Sequence, residues 1–336
     1  MTGSRLACHL AGSPTSKFYY DLSLIYASDV IRPPNWQDYF ITVDPTGHWR
    51  IGETLETLSG PMSAADALGS MPTPDLIVPH MFCLSGMTTF RSLFANIIQL
   101  PVVGSLADVT IVAADKGWTR QVLEVEGVAI PRGELIGERA QPTLPLPVVI
   151  KPCREDNSLG VSLVTDPNVI SDAIQNARQY DPRVLCEEFI PGREVRCAVI
   201  EKYGALLTPE LIEYDVNKER PIRTLADKLD TDDRGNPTDQ NTQRIDASVC
   251  PANLDPGLKD AVQNLAVAAH RALGARDYSL FDIRIHEETN QPYIIEAGLF
   301  WSFSNKSMIT RMLTASGYDV ADEISTLWNW AINRQD

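Results

Sequence analysis

No two cysteines in this chain are spaced as CxxC, and the six present (Cys8, Cys83, Cys153, Cys186, Cys197 and Cys250) form no Cys/His ligand cluster. Neither a zinc site nor a disulfide framework is signalled, so reduced thiols in a cytoplasm are expected. No apolar run approaches the roughly 18 residues of a membrane span, and the start MTGSRLACHLAGS lacks the long apolar core of a signal peptide. Membrane spanning and export are therefore not expected. Positive charge is also scarce: 29 Lys+Arg against 44 Asp+Glu give a formal charge of −15. Such a field repels polyphosphate backbones and anionic lipid, which excludes nucleic acid and membrane surfaces as partners. Neither GxGxxG nor GxxxxGK[ST] occurs, and no internal repeat or low-complexity segment stands out.

What is present is a soluble globular composition, 44% hydrophobic and 22% charged, over 336 residues, enough for two or three domains. Residues 1–105 read as an α/β unit. A strand is expected near Arg5 to Leu10, a helix around Leu22, Ile25 and Tyr26, a strand at DLIVPHMF, and a helix carrying Phe90, Leu93, Phe94 and Ile97. A buried strand, LPVVG, follows. Residues 106–187 form a second unit: a helix from Asp108 to Gly127, a strand at VAIPRGELI, the strand VVIKP, the loop CREDNSLG, and a helix capped by Asp166 with Pro167 at its first position. Residues 188–336 form a third, with apolar strands RVLCEEFI and REVRCAVI around its start and a polar stretch over 213–244 that reads as a lid. A helix bracketed by Asp255, Pro256 and Gly274 leads to the hairpin of YSLFDIRI and QPYIIEAG, joined through HEETNQ.

The hairpin carries the first chemical signal. Antiparallel partners have position numbers of constant sum, so a turn centred near residue 289 sets Asp282 opposite Glu296. Two bare carboxylates about 5 Å apart repel by roughly 3 kcal/mol at an effective dielectric near 20, so positive charge must lie between them. A magnesium ion completed by phosphate oxygens fits; a slipped register with one acid in solvent is the equal alternative. Lys151 ends a strand that reads as buried and calls for an anion, of which phosphate is one, although an edge lysine in solvent is the simpler reading of that residue alone.

Taken in order, VVIKPCREDNSLG, CEEFIPGREVRC, YSLFDIRI and IIEAG resemble the ATP-grasp ligases, most nearly the D-Ala-D-Ala ligase branch. The resemblance implies an α/β (α+β) ATP-grasp fold: an N-terminal α/β domain, then central and C-terminal domains with ATP and Mg2+ between their antiparallel sheets. It implies that Lys116 and Lys151 grip the ATP phosphates under a loop containing Asn157 and Ser158. Glu187 would face the adenine amino group, the backbone near Glu188 and Ile190 the adenine edge, and Glu194 the ribose hydroxyls. Lys228 would be a lid lysine, Asp282 and Glu296 magnesium ligands, and Ser307 the holder of the attacking amino acid's carboxylate. A homodimer, common in that broader family, is the assembly implied.

The departures from that branch form a pattern. Ser16 stands where an early acid would bind an ammonium, Leu280 where an arginine, Gly298 where a magnesium-binding asparagine, and Leu229 and Asn157 where a tyrosine and a serine would orient the first substrate. NSLG, GREVRC, EAGLFWSFSNKS and the MFCLSGMT segment resemble a narrower group, the mycosporine-glycine amine ligases. These phosphorylate the ring carbonyl oxygen of mycosporine-glycine with ATP and let an amino acid such as threonine or serine displace the phosphate to give an imine, as in porphyra-334 or shinorine. Leu299, Phe300, Trp301 and Phe303 could then pack on the cyclohexenimine ring, or anchor their loop in the core. Arg284, on the face of its strand that carries Asp282, could substitute for the missing arginine, or could partner Glu296. A dipeptide ligase working through an acyl phosphate and a non-catalytic ATP-binding module are the competing readings.

Overall fold

The computed structural model describes residues 4–137, 141–156, 158–224, 227 and 248–334. Three sheets organise the chain. The first has the order β3-β2-β1-β4, built from β1 (Arg5–Gly12), β2 (Trp36–Val43), β3 (Trp49–Gly52) and β4 (Leu76–Pro79). Helix α1 (Lys17–Ala27) crosses between β1 and β2, which pair in parallel, as β1 and β4 do. Ser16 caps α1, its side chain accepting from the Tyr19 N–H. Helix α2 (Ala64–Ser70) precedes β4.

Two expectations in this unit are corrected. LPVVG makes only an isolated bridge to β4: the Pro101 carbonyl accepts from Ile77 N–H at 2.8 Å and Val103 N–H donates to the Ile77 carbonyl at 3.1 Å. The chain then turns away at Gly104, whose φ of +91° and crowding against the Tyr278 hydroxyl suit glycine. The preceding helix contains π turns at Gly86–Phe90 and Leu93–Ile97. That wider winding shifts the phase of an α-helical stripe, so Phe94 is buried while Ile97 is 74% exposed.

The expected helix from Asp108 is two helices, α3 (Ala107–Ala113) and α4 (Lys116–Val125). Asp115 breaks it by capping α4, accepting from Gly117 and Trp118 N–H groups at 3.0 and 3.1 Å. The second sheet is antiparallel, in the order β5-β8-β6-β7, from β5 (Gly133–Ile136), β6 (Val148–Pro152), β7 (Ser162–Val164) and β8 (Val184–Glu188). Of VAIPRGELI only the GELI portion is strand. Helix α5 (Ile170–Arg178) covers one face through Ala173, Ile174 and Ala177, packing on Val148 and Ile150. By strand alternation Val149 and Lys151 take the opposite face.

The third sheet runs β12-β11-β9-β13-β14, with β10 also on β9. Its strands are β9 (Gly192–Lys202), β10 (Ala205–Leu207), β11 (Ile212–Tyr214), β12 (Ser248–Val249), β13 (Tyr278–His286) and β14 (Pro292–Gly298). The Pro191-Gly192 turn thus carries the chain from one sheet to the next. Helix α6 (Pro256–Ala272), capped by Asp255, buries Leu258, Val262, Ala266 and Ala269 against the back of this sheet. Helices α7 (Met308–Ala315) and α8 (Val320–Asn333) join Trp301, Phe303 and Tyr278 in a core shared with Ala7, Leu76 and Val78 of the first sheet.

Candidate functional site

Asp282 and Glu296 are register partners across β13 and β14, as the hairpin arithmetic requires. The pairing depends on a bulge: nearer the turn Ile283 faces Ile294, and the register shifts between Asp282 and Ile283. Had the register near the turn continued unbroken, Asp282 would face Ile295, an aliphatic side chain; the bulge leaves Ile295 unpaired and brings Glu296 opposite. The bulge has a second consequence, because the Ile295 carbonyl accepts a hydrogen bond from Lys151 Nζ at 3.2 Å. One irregular residue therefore both pairs the carboxylates and ties the second sheet to the third.

The positive charge demanded by the carboxylate pair comes from side chains. Lys116 Nζ lies 2.9 Å from Glu296 and also donates to the Glu155 carbonyl. Arg196 binds Asp282 with two nitrogens, and Arg223 reaches the same carboxylate at 3.0 Å. Burial disfavours the charge of Lys116, but the Glu296 and Asp156 carboxylates outweigh it and raise its pKa. Lys116 is set in place at the first turn of α4, where its N–H donates to the Cys153 carbonyl at 2.8 Å. The capping Asp115 is itself fixed by Arg154 and Arg183.

Lys151 is buried, so the solvent-edge reading is set aside. Its ammonium pairs with Glu187, the cleft-facing residue of β8, and Arg120 lies 4.0 Å from the same acid. Glu194 is buried and accepts from Arg223 at 2.5 Å and from Arg284 at 3.2 Å. Glu188 makes a two-pronged pair with Arg132, which lowers its pKa. The Ile190 carbonyl accepts from Arg284 Nε at 3.1 Å. Arg284 also donates to the Pro221 carbonyl at 2.9 Å, so its partners are Glu194 and backbone rather than Glu296. Ser158 sits beside the slot with φ +62°. Ser307 precedes α7 with no side-chain capping bond. Asn157, Lys228 and Leu229 lie outside the described residues.

Two connected spaces result. A slot of about 100 Å³ between the second and third sheets is lined by Val149, Lys151, Glu187, Ile190, Glu194 and Arg284. A cavity of about 590 Å³ lies beyond it, and Lys116, Arg223, Asp282 and Glu296 border both. The larger cavity is lined by Tyr26, Phe82, Phe300 and Tyr214, together with Ser307, Leu280 and Gly298. Phe82 packs between Tyr26 and Phe300, at centroid distances of 5.2 and 4.0 Å. Of the apolar and aromatic stretch, Leu299 and Phe300 line the cavity, whereas Trp301 and Phe303 stack at 4.6 Å inside the core, the second of the two expected alternatives. Arg196 and Arg223 escaped the sequence reading. Arg196 meets Asp282 through pairing of strands 86 residues apart, and Arg223 lies in the polar stretch taken for a lid.

Asp282 and Glu296 present hard oxygen donors on one face at the junction of the two spaces. Such a pair suits magnesium when phosphate oxygens complete the shell; its present partners are Lys116, Arg196 and Arg223. A slot lined by lysines at one end and backbone at the other suits a nucleotide.

A profile of the family described as "D-ala D-ala ligase C-terminus" matches residues 129–329. The chain belongs to the D-Ala-D-Ala ligase family. These are ATP-dependent, C–N bond-forming ligases of the ATP-grasp fold, which use ATP and Mg2+. The chain is 29% identical over 305 residues to the D-alanine–D-alanine ligase of Rhodococcus erythropolis, covering 88% of this chain and 77% of that protein. Among solved structures, the Coxiella burnetii D-alanine–D-alanine ligase shares the fold at a TM-score of 0.77 and 18% identity, over 99% of this chain and 95% of that one. The VanG D-Ala:D-Ser ligase of Enterococcus faecalis does so at 0.76 and 20%, over 98% and 99%. A Bacillus anthracis D-alanine–D-alanine ligase complexed with ATP matches at 0.72 and 15%, over 98% and 97%. The ATP-grasp fold expected from the motifs is thus borne out. Among the described residues, no helix is long and apolar enough to cross a membrane.

Proposed function

We propose that this ligase phosphorylates mycosporine-glycine and couples it to an amino acid, threonine or serine, giving an imine-linked mycosporine-like amino acid. The observation that carries the reading is the larger cavity. Beside the carboxylate pair its lining includes Leu280 and Gly298, register partners without charge, and the Tyr26, Phe82 and Phe300 rings. A neutral pair next to the carboxylates together with three aromatic rings suits a flat, apolar-faced ring. Ser16, which stands where that branch's ammonium-binding acid would, is spent on capping α1.

In this reading Lys116 and Lys151 hold the ATP phosphates and offset the charge that develops during transfer. Glu187 and the backbone at Glu188 and Ile190 take the adenine, and Glu194 the ribose. Glu187 and Glu194 must therefore exchange their present cations for these partners. Asn157, Ser158 and Lys228 cover the phosphates. Asp282 and Glu296 hold Mg2+, which when bound shields the phosphate charge. The ring carbonyl oxygen takes the γ-phosphoryl group as the bond to ADP breaks. The amino group, its carboxylate oriented by Ser307, then attacks the ring carbon; the C–O bond breaks, phosphate leaves, and loss of the nitrogen's protons yields the imine.

Glu155 and Asp156 line the same cavity, and they favour a second reading in which a free amino acid is the first substrate and a dipeptide the product. ADP release with Mg-ATP separates the two. Release that requires mycosporine-glycine together with threonine or serine supports the imine reading, whereas release with D-alanine or other amino acids alone supports the dipeptide reading.

A further inference from the structure

Three arginines crowd the cavity side of the third sheet. Arg196 and Asp282 are register partners of β9 and β13, and so are Glu194 and Arg284 two positions along. Arg223, arriving after β11, bridges the rows by donating to Glu194 at 2.5 Å and to Asp282 at 3.0 Å. Three guanidiniums thus share two carboxylates, and the Arg196, Arg223 and Arg284 side chains are only 19%, 10% and 5% exposed. These guanidiniums outnumber the two carboxylates they bond directly, which leaves N–H donors available for a further anion.

The geometry indicates where that anion enters. Arg196 and Arg223 each use Nε and Nη2 on carboxylates. Among the described residues neither Nη1 has a hydrogen-bond partner. Both guanidiniums border the larger cavity, whereas Arg284 borders only the slot. The Tyr214 ring steadies both, with the guanidinium carbons 5.5 and 3.7 Å from its centroid.

We propose that Arg196, backed by Arg223, anchors an anionic oxygen of the acceptor, a carboxylate or vinylogous carboxylate, through the two Nη1 groups on the wall of the larger cavity. This deepens the proposed function and rests on it only in assigning the larger cavity to the acceptor. The ligand class follows from the donors: paired guanidinium N–H groups match delocalised oxyanions and discriminate against a neutral isostere.

The test is calorimetric titration of the nucleotide-free protein with benzoate, a ring carboxylate lacking an amine, and with neutral benzamide. The wild type should bind benzoate in preference to benzamide. Arg196→Gln and Arg223→Gln should each weaken benzoate by about tenfold or more, the scale of a lost charge-assisted hydrogen bond. Arg196→Lys should retain part of the affinity, and its preserved charge guards against misfolding as the cause. Equal benzoate affinity in wild type and folded Arg196→Gln, equal affinity for benzamide, or no benzoate binding would overturn the proposal. Binding requires no turnover, so a protein that bound benzoate through Arg196 yet released no ADP with mycosporine-glycine would refute the function while keeping the anion site.

Discussion

Replacing Lys151 by methionine tests how the two sheets are held together before any nucleotide arrives. The substitution keeps the aliphatic stem and deletes the ammonium that pairs with Glu187 and donates to the Ile295 carbonyl. Glu187, 6% exposed, would then be a buried carboxylate with only Arg120 near, at 4.0 Å. Removing one partner of a buried ion pair costs about 3–5 kcal/mol, and the residual Arg120 attraction places the expectation at about 3 kcal/mol. For a chain of 336 residues, with an unfolding entropy of about 0.7 kcal/mol/K, that lowers Tm by roughly 4 °C. Adding Glu187→Gln removes the stranded charge and should recover most of the loss, to within about 1–2 kcal/mol of wild type. Urea unfolding of the four members of this cycle measures the coupling directly. A Lys151→Met protein within about 1 kcal/mol of wild type, or a double variant no more stable than the single, would refute the reasoning.

Gly298→Asn should fold normally, since a Cβ there makes ordinary contacts with the Leu280 carbonyl oxygen at 3.5 Å and Leu280 Cβ at 4.0 Å; unfolding free energies should agree within about 1 kcal/mol, and a larger loss would mean that glycine is required by space. Burial lowers the His270 pKa to about 4 from 6.5, so the native state excludes a proton that the unfolded chain takes up. Its contribution is present above pH 6.5 and is lost as pH falls toward 4, amounting to about 2 kcal/mol between pH 7 and pH 5; His270→Gln should flatten that part of the pH profile of unfolding free energy. The six cysteines are all free and only Cys250 is more than slightly exposed, so native thiol labelling should modify no more than Cys250 quickly, against six groups after unfolding; rapid labelling of two or more would contradict the packing.

What could be read from the sequence was local. Asp282 and Glu296 lie on one hairpin, so counting from the turn brought them together, although the count succeeds because a bulge at Ile295 compensates for a turn centred half a residue earlier. The caps at Asp166, Pro167, Asp255 and Pro256 were legible because capping chemistry is confined to one turn. Partners set by long-range pairing were not: Arg196 reaches Asp282 only once β9 and β13 are adjacent, and Lys151 meets Glu187 and the Ile295 carbonyl only once the two sheets face each other. Trp301 and Phe303 carried no local sign of which way their loop would turn, and the φ of +53° at Phe303 marks the turn that sends them into the core. The π turns before Ile97 likewise defeat a reading that assumes an α-helical period.

The central claim is that an ATP-grasp ligase whose acceptor cavity combines aromatic rings with the neutral Leu280–Gly298 pair forms an imine on a cyclohexenone-type ring. Its most direct test is the ultraviolet spectrum of the product formed from mycosporine-glycine and threonine or serine with Mg-ATP, recorded alongside ADP release. The account predicts a red-shifted chromophore appearing in step with ADP. ADP release with amino acids alone and no new chromophore would contradict it and identify a dipeptide ligase.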